Sequence, residues 1–176
     1  MKLREKFLKR LKNIPGKAVG YRVDKVRLPN GRTATREYLD HPGAVAVIPL
    51  ISPDKVIVVR QYRYPVNQIT VEIPAGKLDR GELPLVSVKR ELEEETGYKA
   101  GRWRKLISFW PTASFANEVI HISVADKLTK GKRQPDEDEF LSCETWPLKK
   151  LYREIDRGRI PDSTTLIALL AYRSRT

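Results

Sequence analysis

A single cysteine, Cys143, stands in a chain of 176 residues. That excludes an internal disulfide and a zinc site built on cysteines, and a lone thiol fits a reducing compartment, so a cytoplasmic location is expected. Histidine is nearly as scarce. His41 precedes Pro42 at a turn and His121 lies in an alternating strand pattern, so both read as structural. No hydrophobic run approaches the length of a membrane span, and the opening MKLREKFLKRLKNIPGK is too charged for a secretory signal. No membrane partner is expected. Negative charge is in deficit: 22 Asp and Glu face 34 Lys and Arg, for a net +12. Such a chain attracts anions, nucleic acid included. The surplus is spread along the whole sequence, so it specifies no partner, and no specific nucleic acid is expected.

A hydrophobic content of 40% is enough for one buried core with a small extension. Patterning divides the chain into residues 1–42, an arm and a β-hairpin, and 43–176, a larger domain. Arg4 to Lys12 reads as a short amphipathic basic helix or a disordered arm. Tyr21–Leu28 and Thr33–Leu39 read as strands around the turn Pro29-Asn30-Gly31. From Gly43 the β-branched content rises. Strands are expected over Ala44–Leu50, Lys55–Gln61, Ile69–Ile73, Arg102–Trp110, Glu118–Ala125 and Phe140–Trp146. Helices are expected over Pro84–Thr96, Leu148–Arg157 and Pro161–Tyr172. The sum is a mixed sheet with helices packed on it.

The densest information lies between Gly76 and Tyr98, GKLDRGELPLVSVKRELEEETGY. Pro84 suits a first helical turn and Gly97 a left-handed C-terminal cap. Leu85, Val88 and Leu92 make one face apolar. Glu91, Glu94 and Glu95, three and four residues apart, share a face, and Arg90 can pair with Glu94 one turn on. Close carboxylates repel, which raises their pKa values unless a cation neutralises them. Mg²⁺ suits such a cluster, since it takes oxygen ligands and is shared with substrate phosphates. A glutamate-rich helix seen alone is most often a solvated face. Here the spacing is restrictive: Gly76, five residues, Glu82, seven residues, Arg90-Glu91-Leu92, then Glu94-Glu95 and Gly97-Tyr98.

This pattern resembles the signature box of the Nudix hydrolases, with every fixed position matched. HPGAVAVIPL, VIVVRQYRYPVNQITVEIPAG, DEDEF and GRIPDSTTLIALL extend the resemblance over nearly the whole chain, to the ADP-ribose pyrophosphatase branch. The resemblance implies an α/β/α sandwich of mixed α+β class with a small N-terminal β extension. It implies Mg²⁺-dependent hydrolysis of a nucleoside diphosphate linked to another group, Mn²⁺ substituting. ADP-ribose would give AMP and ribose 5-phosphate. It also implies a homodimer in which residues 1–42 reach the partner and help to bind the base, with 43–176 as the hydrolase domain.

By the same resemblance Glu91 and Glu95 are the first choice for metal ligands, with Glu94 beside them and the Ala75 carbonyl as a further ligand. Gly76 and Glu82 support this shell, and Arg90 orients a glutamate. Arg63, ahead of Arg60, is the candidate for the diphosphate, because a guanidinium donates two hydrogen bonds in a fixed fork. Glu72 matches as a substrate or supporting contact. A general base is expected from the acidic loop after the box: Glu139, with Glu137 and Asp138 close behind. Glu118 is a further substrate contact. One departure bears on specificity. Where related enzymes carry Ser-Pro-Gly, this chain has Thr112-Ala113-Ser114. GDP-sugars and dinucleotides such as NADH or FAD therefore stay open as substrates. A reading of a different class is a Nudix-fold sensor or nucleic-acid-binding regulator without catalysis, against which the complete box argues.

Overall fold

The computed structural model describes residues 3–134 and 139–175. It forms two compact units, Met1–Gly43 with Trp110–Val119, and Ala44–Phe109 with Ile120–Thr176.

The first unit is an antiparallel sheet in the order β1 (Lys6–Ile14), β2 (Gly20–Arg27), β3 (Thr33–Asp40). Gly31, at φ +86°, closes the β2–β3 hairpin, and its N–H donates to the Leu28 carbonyl at 3.0 Å. The expectation for residues 4–12 is corrected: the segment is neither helix nor free arm but most of an edge strand. Phe7, Leu8 and Leu11 have helical spacing, yet pairing with β2 overrides that weak local preference. Arg10 on β1 is ion-paired to the buried Asp24 on β2, which also accepts the Tyr38 hydroxyl at 3.0 Å. All nine β1 residues are exposed. Residues 110–119 run beside β3, with Leu39 N–H donating to the Phe115 carbonyl at 2.8 Å.

The second unit carries a mixed sheet. Its path is β10 (Leu141–Pro147), β5 (Lys55–Arg63), β4 (Ala44–Ser52), β9 (Ile120–Lys130), β8 (Tyr98–Phe109). The β4–β9 pair is parallel, and β4, β5 and their other partners run antiparallel. Strand β4 alternates between two clusters. Val45 and Val47 pack with Val88 and Leu92 of α1 (Pro84–Thr96). Ala46 and Ile48 join the cluster that contains Leu148 and Leu151 of α2 (Leu148–Asp156) and Ala168, Leu169 and Tyr172 of α3 (Ser163–Arg173). A strand covered on both faces has no polar side, which is why AVAVIPL is a continuous apolar run.

The sheet opens where the site forms. Strands β4 and β5 pair only at their hairpin end. Further on, β6 (Gln68–Glu72) follows β5 and the short β7 (Ala75–Lys77) follows β4. The chain crosses between them at Ile73-Pro74. Proline has no N–H with which to continue a ladder, so the crossing comes naturally there.

Candidate active site

Helix α1 begins and ends as its sequence dictates: Pro84 lies at its start, and Gly97 caps its end at φ +74° with its N–H on the Glu93 carbonyl. Its apolar stripe is narrower than expected: Val88 and Leu92 lie against β4, while Leu85, in the first turn, is 49% exposed. This docking decides which glutamates leave water. Glu91 and Glu95, one turn apart on the same edge, are buried at 8% and 2% exposure. Glu93 turns outward to pair with Lys99 at 3.2 Å, so that residue is the solvated face.

The buried carboxylates meet the crossing segment. Ala75 N–H donates to Glu95 Oε2 at 3.2 Å. The Glu91 carboxylate occupies the space a Cβ at Gly76 would take. Arg90 is the hub on the outer side. Its guanidinium meets Glu91 Oε1 and Glu94 Oε2, each at 2.8 Å, and Glu82 Oε2 at 3.2 Å. Glu82 in turn accepts the Asp79 N–H at 3.2 Å, which ties the loop before the helix to Arg90.

Burial, above all, pushes the Glu91 carboxyl up to about 7 against the opposing pull of Arg90, and Glu94 and Glu139 add to the rise. Glu95 goes to about 9, by burial first and then by the charges of Glu91 and Glu139. Two carboxylates whose ionisation burial opposes, beside a third on the same helix, have the oxygen chemistry that a hard divalent ion takes. Among the described residues no three acidic, histidine or cysteine side chains form a ready-made cluster. Arg90 is the cation between Glu91 and Glu94 here.

Arg63 and Glu72 are brought together. Arg63 Nε donates to Glu72 Oε1 at 2.8 Å and its Nη2 to Oε2 at 2.5 Å. Glu72 also accepts Thr70 Oγ1 at 2.5 Å and Gln61 Nε2 at 3.1 Å. Burial alone would raise the Glu72 carboxyl, but Arg63, Thr70 and Gln61 together hold it below its ordinary value. Glu72 therefore aims Arg63, whose side chain is 46% exposed. Arg60 is not brought to this pair. Strand alternation turns it to the other face, where it lies 3.5 Å from Glu144 on β10. The charge of Glu139 adds to the rise at both Glu91 and Glu95. Glu137 and Asp138 lie outside the described residues. Glu118 belongs to the first unit, 3.6 Å from His41 Nε2.

Several residues of this neighbourhood escaped sequence reading. Arg133 Nε and Cys143 Sγ both donate to the Glu95 carbonyl, at 2.8 and 3.0 Å. Nothing local marks either. Asp162 did leave a signal, since an aspartate just before a helical run is a favoured N-cap; Thr165, whose backbone N–H it receives, left none.

The NUDIX domain model matches residues 40–167. The chain belongs to the Nudix family. A relative from Bacillus methanolicus, the methanol dehydrogenase activator, is 46% identical over 167 residues, covering 94% of this chain and 90% of that protein. The ADP-ribose pyrophosphatase of Bacillus subtilis (strain 168) is 39% identical over 169 residues, covering 95% and 91%. A solved structure titled as an ADP compounds hydrolase superposes with a TM-score of 0.85 at 22% identity, covering 99% of this chain and 95% of the other. At that identity the likeness is one of fold, the mixed Nudix fold. Nudix hydrolases generally use divalent metal ions, and the carboxylates of α1 suit one.

Proposed function

We propose that this Nudix enzyme is a pyrophosphatase acting on the diphosphate of ADP-ribose or a related nucleoside diphosphate sugar, with AMP and ribose 5-phosphate as the products from ADP-ribose. The observation that carries the reading is the pair of buried carboxylates, Glu91 and Glu95, held at Gly76 and Ala75. The pyrophosphatase from Bacillus subtilis supports the substrate class.

Glu91, Glu95, Glu94 and the Ala75 carbonyl would hold Mg²⁺, with Mn²⁺ as substitute. Bound there, the ion would supply charge for the diphosphate oxygens and for activation of the attacking water. Arg90 neutralises Glu94 and fixes Glu82, which keeps the loop 79–82 on the helix. Arg63, aimed by Glu72, binds a phosphate oxygen. Glu139 takes the proton of the attacking water as one bridging P–O bond breaks. Burial of the carboxylates keeps water from screening these charges.

Two further parts belong to the same proposal. Residues 1–42 serve dimerisation and base binding, and 43–176 the chemistry. The exposed edge strand β1, with Phe7, Leu8, Leu11 and Ile14 uncovered, suits a second copy. The same proposal makes the protein a cytoplasmic homodimer. Among the described residues no helix is long and apolar enough to cross a membrane.

A second reading rests on the Bacillus methanolicus relative, whose name is that of an activator. In it the chain modulates another enzyme and its own turnover is dispensable. One panel separates the two: wild type and E95Q with Mg²⁺ on ADP-ribose, ADP-glucose, GDP-mannose, NADH and FAD, with products identified. Turnover of a nucleotide sugar that E95Q abolishes supports the pyrophosphatase. No turnover of any substrate by metal-loaded protein rejects it in favour of the regulator.

A further inference from the structure

The crossing segment Ile73-Pro74-Ala75 is held by three different elements. Pro74 O accepts the Val47 N–H of β4 at 2.9 Å. Ala75 N–H donates to Glu95 of α1 at 3.2 Å. Ile73 N–H donates to Thr165 Oγ1 in the first turn of α3 at 3.0 Å, a contact spanning 92 residues of sequence. Ile73 is 1% exposed and Thr165 is fully buried. Thr165 is itself fixed, because its N–H donates to the Asp162 carboxylate, the cap of α3, at 2.7 Å. Pro74 has no N–H, so the backbone donors flanking it are those of Ile73 and Ala75. One is anchored by α1 and the other by α3.

We propose that Thr165 is a positioning residue for the metal site. Through the Ile73 N–H, its hydroxyl sets the height of the Ala75 carbonyl and of Gly76 against Glu95 and Glu91. The inference rests on the metal reading of these carboxylates and assigns part of the site to a helix some 70 residues beyond the signature segment. The physical reason is the cost of an orphaned donor. Without the hydroxyl, the buried Ile73 N–H has to find another acceptor, and the segment moves to do so. A shift there is carried over two peptide units to Ala75 and Gly76. Because the Glu91 carboxylate lies directly against Gly76, a shift of Gly76 displaces it.

The hydroxyl and the methyl of Thr165 can be separated. T165V keeps the shape and loses the acceptor; T165S keeps the acceptor and loses the methyl. Mn²⁺ binding to the metal-free protein, followed by calorimetry without substrate, is the primary readout, with thermal melting alongside. T165V is expected to bind Mn²⁺ about ten-fold more weakly, in the range seen when groups supporting metal ligands are removed, and T165S like wild type. T165A should behave as T165V and replaces it if T165V does not fold. Turnover of ADP-ribose should fall in kcat at saturating substrate in T165V and recover at raised Mn²⁺. Wild-type Mn²⁺ affinity in T165V while E95Q has lost binding overturns the proposal and leaves the metal reading standing. Wild-type affinity in both variants overturns the proposal through the reading beneath it. Equal weakening in T165S and T165V overturns it too, by assigning the effect to packing.

Discussion

The Glu91 carboxylate lies in the space that Gly76 leaves open: a Cβ at residue 76 would stand 2.0 Å from Glu91 Cδ. Glycine is required at 76 for close approach; the need comes from the carboxylate across from it. The atoms in the way are the end of a flexible side chain, so a methyl group there displaces the carboxylate more readily than the backbone. We expect G76A to fold, with a melting temperature within a few degrees of wild type, and to lose turnover by about 100-fold, the scale of losing one preorganised charge interaction. Differential scanning fluorimetry beside a hydrolysis assay decides it. Full activity in G76A would show that Glu91 need not stand where it does.

The two buried glutamates can be exchanged for neutral near-isosteres. E91Q and E95Q are each expected to lower turnover by about 100-fold or more. In the metal-free protein neither should be less stable at pH 8, because glutamine removes a carboxylate that burial disfavours ionising. Loss of both activity and fold would instead mean that these side chains are structural.

Stability should depend on pH in an unusual direction. Glu91 and Glu95 are raised to about 7 and about 9 in the metal-free fold, above the ordinary carboxylate value. Between pH 4.5 and 9 the folded protein therefore holds more protons at these positions than the unfolded chain does. Their contribution is fully present at low pH and is lost as pH rises through the two values. In EDTA the melting temperature should fall across pH 5 to 9. Mg²⁺ binds the ionised forms, so the gain in melting temperature it brings should grow with pH. A metal-induced gain that shrinks with pH counts against the assignment.

Arg63 is held by a carboxylate that is itself 3% exposed. R63A leaves Glu72 buried without its cation, at a cost of about 1–3 kcal/mol. It should also raise KM for ADP-ribose. R63K keeps the charge and loses the two-pronged geometry, so it should recover stability better than KM. Urea denaturation and steady-state kinetics read the two effects separately. If KM stays unchanged in both variants, Arg63 serves only the fold.

Much of the site was legible because it is local. Pro84, Gly97 and the spacing of Val88 and Leu92 delimit α1 at residues 84–96, and the same periodicity puts Glu91, Glu94 and Glu95 on one side. Strands β4 and β5 were legible from their apolar runs, since both lie in the middle of the sheet. Residues 4–12 were not, because an exposed basic strand has no burial pattern of its own and is defined by the strand it pairs with.

The sequence by itself determined which carboxylates share a helix face, since a 3.6-residue period needs no partner to operate. Only the tertiary structure decided which of them are taken out of water, that Gly76 makes room for Glu91, and that Arg63 finds Glu72 on the neighbouring strand. It alone decided that a threonine of the last helix holds Ile73, one step from the loop opposite Glu95. These are contacts between elements, and docking of the apolar faces sets them; no spacing along the chain encodes the distance between two surfaces that meet only when the core closes.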